Sequence, residues 1–275
     1  MRQYRDITIL GNCNLSCKYC EHPNYFVCEK DVIQSMDIIF KQFEQNKVCF
    51  RIEARGEITL YPLIINHIKN YADQGYRLEL LSNGLLIDKV LKGYRKIGCV
   101  ISLDGHTAKM NAMRGLLQSQ VDQILKNIFL YDADIQMVYL NQSIEEVNTF
   151  IQYLKDKSYK GMLHIFPCSI KNKIVSKFLP YEQLIHAEFL PSKNYFERWK
   201  YVYDNNSRAF ICDFDQNGYI YYIVNKKIKM AKCDGNAAIW RLLHPFGEER
   251  DVSINCMNCI NNNEYNNQRK FVLSD

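Results

Sequence analysis

Six short apolar runs with a helix-period segment between each and the next constrain this chain more than any other feature. The strand candidates are Asp6–Leu10, Val48–Glu53, Arg77–Leu81, Cys99–Leu103, Ile135–Leu140 and Met162–Phe166. Most are continuous apolar runs, as expected of parallel strands covered on both faces. Asp31–Gln45, between the first two, places Val32, Ile33, Met36, Ile39, Phe40 and Phe43 at helical spacing. Leu63–Gln74, Ile87–Ile97, Leu116–Leu130 and Ser143–Lys157 repeat the pattern. Ser143 with Glu146 three residues on is a capping-box helix start. Strands alternating with helices predict an α/β fold with a parallel sheet and right-handed crossovers. Open doubly wound sheets and partial barrels share the pattern, and both bind ligands at the C-terminal ends of the strands.

After about Leu179 the rhythm stops. Pro180 and Pro191 punctuate the chain, and four of its eleven cysteines lie beyond residue 210. The reading is a core domain over 1–185 and a small cysteine-rich domain over 186–275, with a polar tail from Asn261 onward. An apolar fraction of 47% is enough for a packed core and excludes a disordered chain. No run of eighteen apolar residues is present, so no membrane span is expected. The first residues lead directly into a strand without an apolar signal region, which predicts a cytoplasmic protein. A formal charge of +5 without a long basic block gives no reason to expect nucleic acid as a partner.

In a reducing compartment eleven cysteines read as metal ligands, reactive thiols or small buried apolar residues. Cys13, Cys17 and Cys20 follow the first strand at its C-terminal end. Three thiolates this close can wrap one iron–sulfur cluster. A cubane has four irons, so three cysteines leave one iron open to the amino and carboxylate groups of a methionine-type ligand. The alternative is a closed zinc site completed by His22 or Cys28. Cys212, Cys233, Cys256 and Cys259 form a second set, in which Cys256 and Cys259 are a tight pair. Between Cys212 and Cys233, the stretch Asp213–Tyr222 has an Asn217-Gly218 turn signal, and strand pairing there would bring those two cysteines together. A zinc ribbon is the competing reading of this set.

Cys-x3-Cys-x2-Cys with an aromatic residue, Tyr19, before the last cysteine resembles the signature of the radical S-adenosylmethionine (SAM) superfamily. Further matches sit at successive strand ends. Arg55-Gly56-Glu57 resembles the family's Gly-Gly-Glu motif, which binds the SAM amino group, and Ser82-Asn83-Gly84 resembles its Thr-Asn-Gly. Ser102-Leu103-Asp104-Gly105 followed by Met113-Arg114-Gly115 is similar to the peptide- and protein-modifying branch. There the serine and aspartate lie by the ribose and the arginine by the SAM carboxylate. The residue types suit these partners: a carboxylate for an ammonium, a guanidinium fork for a carboxylate. The resemblance implies a partial (β/α)6 TIM-like barrel with a [4Fe–4S] cluster on Cys13, Cys17 and Cys20. Tyr19, Gly56, Glu57, Asn83, Ser102, Asp104 and Arg114 would surround SAM. The C-terminal set resembles the "twitch" domain, a reduced SPASM domain, and implies one auxiliary [4Fe–4S] cluster on Cys212, Cys233, Cys256 and Cys259. Arg55 replaces the motif's first glycine and Ile58 stands where proline is common. If position 55 needs positive φ, Arg55 carries strain.

The function expected from this resemblance is cleavage of SAM to a 5′-deoxyadenosyl radical for C–H activation, with an external one-electron donor such as flavodoxin or ferredoxin. The strand-end motifs point to a peptide or protein substrate, as in a peptide maturase. The alternative is a small-molecule dehydrogenase or oxidoreductase of a biosynthetic pathway, and the distant one is a two-zinc binding module. Cys49 and Cys99 lie in strands and are expected to be packing residues. Cys168, at the end of the sixth strand, could donate a hydrogen atom, although a plain loop thiol is the simpler reading. Asp213 and Asp215 are candidate general bases.

Overall fold

Each of the six expected strands forms, and each lies beside its predecessor. The computed structural model describes residues 3–20, 25–45, 47–140, 142–170, 173–193, 196, 210–211, 219–224, 227–231 and 272–273. Strands β1 (Gln3–Leu10), β2 (Val48–Arg55), β3 (Arg77–Ser82), β4 (Gly98–Ser102), β5 (Asp134–Tyr139) and β6 (Leu163–Pro167) pair in parallel, in chain order. One helix occupies each connection: α1 (Glu29–Phe40), α2 (Pro62–Asp73), α3 (Ile87–Leu91), α4 (Gln118–Tyr131) and α5 (Ile144–Asp156). This is the partial TIM-like (β/α)6 arrangement, and it sets the C-terminal ends of all six strands along one rim.

The chain then forms a short hairpin, β7 (Ser169–Ile170) and β8 (Lys173–Ile174), and a distant pair made of β9 (Phe210–Ile211) and a later strand at Val272–Leu273. Strand β10 (Tyr219–Val224) adds to β1 in parallel, and β11 (Lys227–Ala231) pairs antiparallel with β10 at the sheet edge. The turn expected at Asn217-Gly218 lies outside the described residues; the described antiparallel pair in this region is β10 with β11. Tyr219–Val224 is a strand, and its partners are β1 and β11.

Register divides the sheet into two unlike faces. Ile7, Ile52 and Leu80 are partners on one face, and Ile101, Ile135 and Leu163 continue it. All six join the same buried cluster as helix residues such as Met36, Ile65 and Phe150. On the opposite face, Asp6 aligns with Arg51 and Arg51 with Glu79, and Ser102, Gln136 and His164 follow in the same way. Period-2 alternation sends neighbouring residues to opposite faces, so the apolar packing is one-sided. Arg51 Nη2 donates to Asp6 Oδ2 at 2.8 Å, so the charge at the centre of the polar face is paired. Burial pushes the Glu79 carboxyl up; Arg51 opposes this shift, Asp134 adds to it and His164 opposes it.

Rings concentrate where α1 and α2 lie against β2. Phe40 stands edge-on to Phe50 at 4.7 Å and stacks on Tyr71 at 4.1 Å. The capping box of α5 forms as read: Glu146 N–H donates to Ser143 Oγ at 3.2 Å and Ser143 N–H to Glu146 Oε2 at 2.9 Å. Helix α3 departs from the sequence reading, because it ends at Leu91 and not near Ile97. Lys92 (φ 51°) and Gly93 (φ 78°) are both left-handed, and two such residues in a row cannot continue a right-handed helix.

Candidate functional site

The loop from Gly11 to Cys20 leaves β1 at the rim and is fastened to three neighbouring strand ends. Gly11 N–H donates to Arg55 O at 3.2 Å, and Asn12 O accepts from Glu57 N–H at 2.7 Å. Asn12 N–H reaches the Tyr61 hydroxyl at 2.6 Å. Asn83 Nδ2 donates to Asn14 Oδ1 at 2.7 Å, and Lys18 N–H donates to Met113 O at 2.7 Å. Gly56 is what allows the close approach. Its φ is +148°, and a Cβ there would lie 2.3 Å from Asn12 O and 2.6 Å from Gly11 O. Arg55, by contrast, is the last residue of β2 and is not among the positive-φ residues, so it carries no strain of the kind its replacement of glycine suggested.

Glu57 turns inward at the start of a short 3-10 turn, Ile58–Leu60, and is 1% exposed. Its Oε1 accepts from Thr59 N–H at 3.0 Å, Thr59 Oγ1 at 2.6 Å and Ser82 Oγ at 2.7 Å. Its Oε2 accepts from Asn83 N–H at 2.7 Å. The Ser82-Asn83-Gly84 turn is thereby tied to β2. Gly84, at φ +83°, could not carry a Cβ without meeting Ile101 Cγ2 at 2.6 Å.

Past β4, Asp104 is also 1% exposed. Its carboxylate takes a side-on fork from Arg114, Nε to Oδ2 at 2.8 Å and Nη2 to Oδ1 at 2.9 Å. The Tyr19 hydroxyl donates to Oδ2 at 2.9 Å and Val138 N–H donates to Oδ1 at 2.9 Å. Arg114 also lies 5.5 Å from the centre of the Tyr19 ring. Burial alone would lower the guanidinium's pKa, but the Asp104 carboxylate overcomes it and drives the value upward. Burial, opposed by Arg114 and reinforced by Asp104, raises the Tyr19 phenol far above its usual range. Ser102, half-buried at the end of β4, has no side-chain hydrogen bond among the described residues.

The three loop cysteines share this rim but do not form a finished site by themselves. Cys13 and Cys17 are half-buried and Cys20 is exposed. Burial pushes the Cys13 and Cys17 thiols up, Arg114 holds Cys17 down, and each feels the charge of Cys20. Among the described residues no group of three or more His, Cys, Asp or Glu side chains stands ready to hold a metal ion. The donor set nevertheless fits an iron–sulfur cube: soft thiols on a loop of small and polar residues, against a buried cation that offsets thiolate charge. Cys168 follows β6 and is 2% exposed, with its thiol pushed up to about 11 by burial and Asp104. Cys49 and Cys99 are buried strand residues, as read. Cys212, Cys233, Cys256 and Cys259, with Asp213 and Asp215, lie outside the described residues. Sequence reasoning missed Thr59, Tyr61 and Val138, which hold the motif residues. Thr59 could have been found, since a hydroxyl two residues after a strand-end glutamate is placed to bond it.

Comparison with known proteins gives three likenesses. The chain is 41% identical over 272 residues to neomycin C epimerase of Streptomyces fradiae, covering 98% of this chain and 91% of that protein. It superposes on the crystal structure of Streptococcus suis SuiB with a TM-score of 0.60 at 16% identity, over 87% of this chain and 62% of that one. It superposes on anSMEcpe with bound AdoMet with a TM-score of 0.51 at 22% identity, over 77% of this chain and 62% of that one. The chain thus spans less than two thirds of either solved structure, and at these identities the likeness is one of fold. No family model matches the chain.

Proposed function

Because the chain belongs to the radical SAM superfamily, whose members use SAM and a [4Fe–4S] cluster, we propose that it epimerises a carbon centre of a small molecule, neomycin C or a compound of its chemical class. The observation that carries this reading is the 41% identity to neomycin C epimerase over 98% of this chain. It favours a small molecule over the peptide substrate expected from the Ser-Leu-Asp-Gly motif, for which the likeness to SuiB, one of fold only, gives no support. Cys13, Cys17 and Cys20 would hold the SAM-binding cluster. When bound, cluster and SAM supply a 5′-deoxyadenosyl radical that takes hydrogen from an unreactive C–H bond.

The chain's own task is then to return a hydrogen atom on the opposite face. A thiol does this by giving up its S–H hydrogen. One electron from an external donor such as flavodoxin or ferredoxin, with a solvent proton, restores the thiol. Cys168 is the candidate at the rim, and a thiol held near 11 keeps its hydrogen at neutral pH.

The test is anaerobic incubation with SAM, a reductant and neomycin C in D2O. The expected product has the substrate's connectivity, with about one deuterium at the inverted carbon, because thiol hydrogens exchange with solvent. A product lighter by a hydrogen pair, or no turnover while an added peptide is modified, would overturn the reading. Cys168→Ala should consume SAM without inverting the substrate; if it still inverts, the donor is another thiol.

Cys212, Cys233, Cys256 and Cys259 are proposed to hold a second, auxiliary [4Fe–4S] cluster. Anaerobically reconstituted protein should then contain about eight irons per chain, and the Cys256→Ala/Cys259→Ala variant about four. About four irons in both proteins would remove the auxiliary cluster. Among the described residues no helix is long and apolar enough to cross a membrane.

A further inference from the structure

The face of the sheet turned away from the helices is a polar wall, and much of its charge is paired within the chain. Asp6 holds Arg51 at 2.8 Å, and Asp134 accepts from Met162 N–H at 2.8 Å and lies 3.6 Å from His164 Nε2. Two half-buried members of the wall keep open capacity. Glu53 accepts one side-chain hydrogen bond, from Thr8 Oγ1 to Oε1 at 2.9 Å, and its Oε2 has no partner among the described residues. The Gln136 amide group has no partner among them either. Neither open group is sealed away from solvent, so a ligand can reach both. Their chain neighbours fix the direction in which they point. Ile52 before Glu53, and Ile135 and Met137 on either side of Gln136, are buried in the helix-packed core, so alternation turns Glu53 and Gln136 to the other face. Strands β3 and β4 lie between β2 and β5, which places the two groups three strand spacings apart, about 14 Å along the sheet. They can therefore meet different parts of one extended ligand.

We propose that Glu53 and Gln136 are specificity-determining residues: the Glu53 carboxylate takes an ammonium group of the substrate and the Gln136 amide a hydroxyl, so that the wall selects an extended amino sugar. This deepens the proposed function and rests on its small-molecule reading. A carboxylate accepts and does not donate, and hydrogen bonds from a cationic donor are its strongest. An amide both donates and accepts, as a hydroxyl does, so the two pair in either sense. A hydrocarbon group laid against Glu53 would strip water from the carboxylate with no bond in return. The wall therefore rejects an apolar side chain and accepts a polyhydroxylated amine, of which neomycin C is one. Ser102 stands beside Gln136 in register and is left to SAM, as the resemblance has it. The part of the substrate held by Gln136 is thereby the part next to the SAM site. An ammonium held by Glu53 before and during the reaction adds uniform binding, which shows in KM and not in kcat.

The experiment measures kcat and KM of the reconstituted full-length enzyme on neomycin C, and on analogues in which one amino group at a time is replaced by hydroxyl. Glu53→Gln keeps an acceptor oxygen for Thr8 and removes the charge. It should raise KM about thirtyfold with kcat within about threefold. Gln136→Ala should raise KM about fivefold. With the wild type, one of the analogues should show the same thirtyfold rise in KM, and Glu53→Gln should add nothing further on that analogue, because the pair it breaks is already gone. Glu53→Asp keeps the charge and should recover most of the loss, and circular dichroism with iron content identifies any variant that has not folded. An unchanged KM in Glu53→Gln and Gln136→Ala, or a Glu53→Gln penalty equal on every analogue, would overturn the proposal and leave the epimerase reading standing. Wild-type protein that does not invert neomycin C would overturn that reading, and the proposal with it.

Discussion

Gly56→Ala is expected to cut SAM cleavage at least about a hundredfold while leaving the barrel folded. A side chain at φ +148° is outside the comfortable range of any L-residue, and such strain costs on the order of 1–3 kcal/mol. The new Cβ would also sit 2.3 Å from Asn12 O and 2.7 Å from Gly11 C, backbone atoms that cannot rotate away. The relief is to push the loop off β2, which breaks the bond from Glu57 N–H to Asn12 O and shifts Cys13. A displacement of about 1 Å can cost a hundredfold in rate when the reacting groups are held in place by a scaffold. The check is 5′-deoxyadenosine formation under anaerobic conditions, with circular dichroism to follow the fold. Gly93→Ala is the control: φ there is +78° with nothing within 4 Å of the added Cβ. It should lower stability slightly and leave cleavage unchanged; if both variants behave alike, strain and not the loop contact is the cause.

Asp104→Ala should be the most destabilising single change at the rim. Arg114 is 6% exposed, and its fork onto Asp104 is its ion pair. Removing one partner of a buried pair leaves a charge in a medium that solvates it poorly, at a cost of about 3–5 kcal/mol. For a chain of this size that is a fall in Tm of roughly 10 °C. Asp104→Leu/Arg114→Met removes both charges and should recover most of the loss, because two apolar groups need no solvation. Thermal unfolding of the three proteins decides it, and a double variant as unstable as the single would mean that the Tyr19 and Val138 bonds carry the effect. SAM cleavage should fall in both variants, since Tyr19 loses its anchor.

The six strands could be read from sequence because one face of each is apolar and packs on helices, as Ile7, Ile52, Leu80 and Ile135 do. What the reading missed is that the other face is polar. Asp6, Arg51 and Glu79 interrupt runs that looked buried on both sides, and only strand register reveals that they are neighbours. Helix periodicity overshot α3 because it counts apolar spacing and is blind to the backbone at Lys92 and Gly93. The motif residues at or just after the strand ends were legible in the sequence. Their pairings were not, since the fork from Arg114 to Asp104 spans ten positions and the bond from Tyr19 to Asp104 spans 85. Spacing names the residues of a site; folding decides whether a carboxylate looks outward or is used up inside.

The division of the sheet into an apolar side and a polar side separates two kinds of evolutionary freedom. Substitutions on the helix-facing side are judged by packing, where a lost methylene is felt at once. On the other side, half-buried Ser102 and Gln136 contribute little to that packing, so they can be exchanged one at a time at small cost to folding, whereas the buried pair Arg51 and Asp6 must change together. A lineage built on this sheet can therefore change what it accepts long before it changes what holds it up, and relatives with different substrates should differ first along that inner wall.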